Sequence, residues 1–275
     1  MNEYALVVDV EVDLGGDRKD PSPYNKDNTL VAIGYTYRAL DGSPIWNSDG
    51  AVYIKKFPVD NYYFYEFKKA IKEATYIVAH NAKFDLAWLR EVGVECDNKV
   101  IDTMISEYVL NKGIRGKLSL DALSKKYNVI RKENLLGNAL SVGLNYSDMS
   151  EEDQRKYLYY DVMSTAEVFE KQQKIFRKSA NKSLIPIRDL MCQFCSVLTD
   201  IERSGMAIDL NVLTQVDKEY EREQAQLNSY LNQKVRSLMG DLEVNLSSPE
   251  QLSQVIYSCK LVDKKSWKSL MNIGV

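Results

Sequence analysis

The stretch Tyr4-Ala5-Leu6-Val7-Val8-Asp9-Val10-Glu11 constrains the fold of this chain more than any other. Its apolar, β-branched run reads as a strand buried on both faces. Asp9 stands inside it, and Glu11 follows at its C-terminal end. Side chains at i and i+2 leave a strand on one face, so both carboxylates point the same way. Burying two like charges side by side is costly unless a cation or hydrogen bonds compensate them. Either this strand end reaches water, or carboxylates from elsewhere complete a charged site. The remaining sequence has to decide.

Downstream, Asp13-Leu14-Gly15-Gly16 and Asp20-Pro21-Ser22-Pro23-Tyr24-Asn25 mark an irregular loop. Strands are expected over 29–37 and 51–54, and their turn-rich connections suggest an antiparallel meander. From residue 62 the pattern becomes strand–helix alternation. A helix is expected over 62–74, with Tyr65, Phe67, Ala70, Ile71 and Ala74 inward. A short strand over 76–79 and a helix over 84–92 follow, the latter ended by Gly93. A strand at 100–101 and helices over 104–110 and 118–127 come next. A long helix starts at N-cap Ser150 and runs towards Ile175. The result is an α/β layer architecture, a mixed sheet flanked by helices.

A boundary is expected near 178–186, giving a domain over 1–180 and a mostly helical segment over 181–275. That segment has a charged, amphipathic helix over 215–238 and a further helix start at Ser248-Pro249.

Composition narrows the chemistry. No run of about 18 apolar residues exists, so no membrane span is expected. The N-terminus lacks a signal-peptide layout, and a cytoplasmic protein of a prokaryotic or phage-infected cell, nucleoid-associated and not secreted, is expected. Cys192-x-x-Cys195 lies in an apolar helical pattern without a second pair, so Cys96, Cys192, Cys195 and Cys259 read as free thiols. A net charge of −3 argues against a general polyanion-coating protein. It leaves room for a nucleic-acid enzyme whose site is a metal-neutralised carboxylate cluster. With His80 the single histidine, every mechanism that needs two is excluded.

Two more clusters answer the question posed by Asp9 and Glu11. His80-Asn81-Ala82-Lys83-Phe84-Asp85 sits where a strand gives way to a helix, a usual place for site residues in α/β sheets. There Asn81 suits an N-cap, and Asp85 lies one turn into the helix, where the helix dipole alone would also favour it. Tyr157-Leu158-Tyr159-Tyr160-Asp161 places Tyr157 and Asp161 on one helix face, either partly exposed or buried at a cost. Together these make four carboxylates on three elements with a phenol beside one of them. Oxygen-only ligand sets select hard cations, Mg²⁺ or Mn²⁺. Two such ions suit an in-line phosphoryl displacement, and Tyr157 could orient or help deprotonate the attacking water.

In order and spacing, Val8-Asp9-Val10-Glu11, Ala79-His80-Asn81-Ala82-Lys83-Phe84-Asp85 and Tyr157-Leu158-Tyr159-Tyr160-Asp161 resemble the three motifs of the DEDD 3′–5′ exonucleases. The resemblance implies a ribonuclease H-like fold, with Asp9, Glu11, Asp85 and Asp161 as ligands of two divalent ions. It implies the tyrosine subclass, since Tyr157 stands four residues before the last aspartate. Ile101-Asp102-Thr103-Met104-Ile105 resembles the family's Asp-Thr segment, with Asp102 a supporting residue and not a fifth ligand. Many relatives place Thr or Ser directly after the first-motif Glu, where it helps hold the terminal nucleotide. Val12-Asp13 stands here, which leaves the 3′-end contacts unassigned but the metal set complete.

Beyond the boundary, Ile201-Glu202-Arg203-Ser204-Gly205-Met206-Ala207-Ile208-Asp209 and Asn245-Leu246-Ser247-Ser248-Pro249-Glu250-Gln251-Leu252 resemble the start of the polymerase region in family A DNA polymerases. This implies a proofreading exonuclease that releases 5′-monophosphates from single-stranded or frayed 3′ ends of DNA. A ribonuclease D-like exoribonuclease and a non-catalytic DNA- or polymerase-binding subunit are the competing readings. The family's palm needs a His-Asp-Glu segment, and the lone His80 precedes Asn81, so this chain is not expected to polymerise alone. A separately encoded palm and fingers part is a candidate partner. Asn81, Lys83, Phe84 and Leu14 adjoin the motifs and are the candidate substrate contacts. Phe84 and Leu14 would wedge and stack, or simply pack; Lys83 would touch phosphate, or simply be solvated.

Overall fold

A computed structural model describes residues 3–15, 20–45, 53–56, 62–130, 145–240 and 244–257. By compactness the chain divides into Met1–Gly205 and Met206–Val275.

In the first unit, β1 (Ala5–Asp13), β2 (Thr29–Arg38), β3 (Tyr53–Lys56), β4 (Tyr76–Ala79) and β5 (Lys99–Asp102) form one sheet in the order β3-β2-β1-β4-β5. β1 pairs antiparallel with β2, and β2 with β3, as the meander predicts. β4 joins β1 and β5 in parallel; a single helix connects β4 to β5, and two strands and a helix intervene between β1 and β4. The helices are α1 (Tyr62–Glu73), α2 (Ala82–Glu91), α3 (Thr103–Leu110), α4 (Leu120–Tyr127), α5 (Glu151–Phe176) and α6 (Ile185–Ser204).

Strand alternation sorts β1 into two cores. Leu6, Val8 and Val10 pack with Phe67 and Ile71 of α1 and Leu86 and Leu89 of α2. Ala5 and Val7 pack on the other face with Leu158, Val162 and Phe169 of α5. Parity then sends Asp9 and Glu11 towards the α5 side. Gly34 of β2, paired with Asp9, lets α5 come that close. A Cβ there would stand 2.7 Å from both Leu158 Cγ and Val162 Cγ2.

Two expectations shift. Tyr65 is 65% exposed, not inward. It precedes Phe67 by two residues, and about 200° of helical rotation puts it on the opposite face. The expected break near 178–186 is a turn inside the first unit, so the helical segment over 181–275 straddles both units. The cause is α6, which packs along the edge strand β5. Asp102 N–H donates to Cys192 Sγ at 3.4 Å, and Gln193 Nε2 to the Val100 carbonyl at 3.5 Å. Arg90 of α2 donates to the Ser196 carbonyl at 3.0 Å and to Asp200 at 2.9 Å. Cys96, Cys192 and Cys195 are buried free thiols, while Cys259 and residues 51–52 of the expected third strand lie outside the described residues.

The second unit contains α7 (Leu210–Met239) and α8 (Pro249–Tyr257). Asp209 caps α7 through the N–H groups of Asn211 and Val212. Ser248 and Pro249 start α8 as expected, and Val235 and Met239 pack with Val244, Leu246 and Val255. Among the described residues, no helix is long and apolar enough to cross a membrane.

Candidate active site

Three of the four carboxylates, from β1 and α5, meet at the C-terminal part of β1. Oxygens of Asp9, Glu11 and Asp161 all lie within 4.8 Å of one another. Glu11 and Asp161 are buried, and Asp9 is half-buried. The β1–β2 register shifts between Glu11 and Val12, a bulge placed directly after the second carboxylate. Past it, Asp13 accepts from Ser147 N–H at 3.0 Å, and Leu14 N–H donates to Asn145 Oδ1 at 3.4 Å. The strand end is thereby tied to the short turn that precedes α5.

Asp85 arrives from the other layer. It hangs from the first turn of α2, and its Oδ1 accepts the Val10 N–H at 3.1 Å, between the two carboxylates of β1. It stands outside the close cluster of three but is near enough for Asp9 to affect its charge. Burial, followed by the Asp9 charge, pushes the Asp85 carboxyl well above the usual carboxylate range. Burial and the charges of Glu11, Asp161 and Asp9 likewise raise Tyr157.

Asn81 stands at the N-cap position expected for it, but it does not cap with its side chain. Its backbone is left-handed, at φ 65°. Asp102 takes over the function. Its carboxylate accepts from Asn81 N–H at 3.2 Å and Ala82 N–H at 2.8 Å at the start of α2, and from Met104 at 2.7 Å and Ile105 at 3.3 Å at the start of α3. One buried carboxylate thus sets the launch of the helix that carries Asp85. His80 reinforces it, with Nδ1 2.8 Å from Thr103 Oγ1.

The remaining candidates separate. Phe84 is half-buried and packs against the α1–α2 core. Lys83 pairs with Glu202 of α6 at 2.5 Å, a contact the sequence gives no hint of. Leu14 is half-buried beside the bulge. Sequence reasoning missed Tyr146, which is buried with its ring 6.2 Å from that of Tyr157 and its hydroxyl donating to the Gln154 carbonyl at 2.7 Å. An aromatic five residues before a helix start carries no distinguishing signal.

The donor set of the cluster is carboxylate oxygen throughout, which fits a hard divalent cation and not a soft one. Its titration gives a test. Asp85 has a folded pKa above its unfolded one, so in metal-free protein its stabilising contribution is present below the ordinary carboxylate range and is lost as pH rises through the raised value. A divalent ion reverses this by favouring the ionised form. The Mg²⁺-induced rise in thermal midpoint over an EDTA control is therefore expected to be larger at about pH 8 than at about pH 5. Equal shifts at both would show that no buried carboxylate is being titrated by the ion.

A family model described as 3′–5′ exonuclease, of the DNA polymerase A type, matches residues 9–177. DNA polymerase I of Borreliella burgdorferi is 25% identical over 232 residues, 83% of this chain and 24% of that protein. DNA polymerase I of Chloroflexus aurantiacus is 25% identical over 191 residues, 68% of this chain and 19% of that protein. The chain therefore spans a quarter or less of the length of these relatives. Among solved structures, the POL domain of Pol1 from M. smegmatis, in complex with DNA primer-template and dNTP, has a TM-score of 0.56 at 16% identity and covers 98% of this chain and 41% of that one. Brucella melitensis NrnC bound to pGG has a TM-score of 0.53 at 14% identity, covering 75% and 88%. At such identities the likeness is one of fold, the ribonuclease H-like arrangement of a mixed sheet between helices.

Proposed function

The chain belongs to the 3′–5′ exonuclease family of the DNA polymerase A type, and on that premise we propose that it removes 3′-terminal nucleotides from single-stranded or frayed DNA and releases 5′-monophosphates. The observation that carries this reading is the convergence of Asp9, Glu11 and Asp161 within 4.8 Å, inside the matched segment. Asp9, Glu11, Asp85 and Asp161 would hold two divalent cations, Mg²⁺ or Mn²⁺. When bound, such ions supply an activated water and charge stabilisation on the phosphoryl oxygens.

The chain's own residues do the positioning. β1 is a rigid strand buried in the middle of the sheet, so Asp9 and Glu11 are fixed before any substrate arrives. Tyr157, its pKa raised by burial and three carboxylates, keeps its proton and serves better to orient the attacking water than to deprotonate it. Tyr157→Phe is expected to slow degradation about 10- to 100-fold, well short of a ligand replacement. An unchanged single-turnover rate would remove the phenol from the chemistry.

DNA is preferred over RNA as substrate because the curated relatives are DNA polymerases and because the 201–209 and 245–252 segments resemble the start of a polymerase region. On that reading the helices beyond the first unit are the beginning of such a region. Matched 3′-labelled DNA and RNA strands, each with Mg²⁺ and with EDTA, test it. Metal-dependent loss of the DNA label is the expected result; faster loss of the RNA label would overturn the substrate assignment.

A further inference from the structure

The first unit contains a cleft that neither the metal cluster nor the motif residues use. It is about 810 Å³ in volume, within the range of small-ligand sites. One wall is the loop over 20–29, which leaves β1 and returns as β2; the other is the outer half of α2, with Arg203 from the end of α6 at the rim.

The loop is built as a wall. Asn28 is buried, and its amide donates to the Asp20 carbonyl at 2.7 Å and the Ser22 carbonyl at 2.9 Å while its oxygen accepts Gly15 N–H at 3.1 Å. Trp88 of α2 pins the loop from the far side, donating its indole N–H to the Pro21 carbonyl at 3.1 Å. That frame leaves Tyr24 41% exposed over an apolar floor of Leu30, Trp88 and Val92. Lys26 and Arg203 contribute two positive charges to the lining, against Glu91 as the one acid.

An exposed ring beside an excess of cations is the surface that takes single-stranded nucleic acid, the ring stacking on bases and the cations following phosphates. Its place fits the same strand. Trp88 follows Asp85 by three residues, so it shares that face of α2 about 4.5 Å further along the axis. Resting on the exonuclease reading, we propose that this cleft holds nucleotides of the substrate strand upstream of the 3′ terminus, with Tyr24 stacking on a base and Lys26 and Arg203 facing phosphates. The loop would then give the enzyme a preference for longer single strands over very short ones.

The test uses the full chain. Binding of a fluorescent oligo-dT octamer and of a dT dinucleotide is measured by anisotropy in EDTA, and cleavage of both is measured with Mg²⁺. Tyr24→Ala is expected to lower the octamer-to-dinucleotide ratio, in affinity and in kcat/KM, by about tenfold, while Tyr24→Phe retains it. Lys26→Ala is expected to reduce the slope of log affinity against log salt by about 0.7 for the octamer. An unchanged ratio in Tyr24→Ala with wild-type cleavage intact would sink the cleft and leave the exonuclease reading standing. A length-dependent binding ratio without any cleavage by the wild type would do the reverse. Competition for the octamer by free dTMP at micromolar concentration that Tyr24→Ala abolishes would reassign the cleft to a mononucleotide.

Discussion

Asp85→Ala and Asp161→Ala are each expected to cut Mg²⁺-dependent degradation of a 3′-labelled single strand by more than about a thousandfold. Divalent ions contribute several kcal/mol of transition-state charge stabilisation, and about 4 kcal/mol is a factor of a thousand. The two replacements act from opposite sides of the sheet, since Asp161 belongs to α5 and Asp85 to α2. Neither is expected to unfold the protein. The ionised Asp85 carboxyl is penalised by burial and by Asp9, which offsets part of the roughly 1–3 kcal/mol cost of leaving the buried Val10 N–H without its acceptor, so the thermal midpoint in EDTA at neutral pH is expected to fall only modestly. What should vanish is the Mg²⁺-induced rise of that midpoint. Undiminished degradation by both purified variants would falsify the assignment, whereas loss of activity together with a collapsed midpoint in EDTA would mark a structural residue.

Gly34→Val is the second large effect expected, at a position that looks unremarkable in the sequence. A Cβ would already stand 2.7 Å from Leu158 Cγ and Val162 Cγ2, and the branches of valine need more room still. Overpacking of this kind costs about 1–3 kcal/mol. The strain falls on Leu158 and Val162, and the helix that bears them, α5, also carries Tyr157 and Asp161. Displacing reacting groups by about 1 Å lowers rates on the order of a hundredfold. Activity is therefore expected to fall by more than the stability loss accounts for, measured well below the variant's own melting midpoint. A wild-type rate in the folded variant would show that α5 is not held at its station by this contact.

Much of the site was legible in the sequence because its chemistry depends on side-chain type and local spacing. The i, i+2 pair at Asp9 and Glu11, the strand-to-helix step before Asp85 and the i, i+4 pair of Tyr157 and Asp161 each survive as read, and the structure brings three of these carboxylates together. The meander and the later strand–helix alternation were readable for the same reason, since hydrophobic period is local. What depended on tertiary proximity was not. Asp102 caps α2 across a separation of about twenty residues, so the local rule pointed to Asn81 instead. Tyr65 was placed inward on residue type alone, although its phase relative to Phe67 puts it outside. Lys83 could be read as a phosphate contact because nothing nearby in sequence announces Glu202. Gly34 and Tyr146 have no local signature at all, and only the packing of α5 gives them meaning.

The covering of β5 by α6 bears on how this nuclease could be moved between proteins. A strand at the rim of a sheet offers unpaired amides and carbonyls to any passing chain, and proteins protect such rims. Here the protection is supplied by residues that come after the polar stretch over 178–183, through Cys192, Gln193 and the Arg90 clamp on Ser196 and Asp200. A gene fusion or fission that cut at residue 180 would release a sheet with a sticky margin, prone to associate with copies of itself. The smallest transplantable piece runs through Gly205, and shuffling events that preserve a soluble nuclease should respect that later joint.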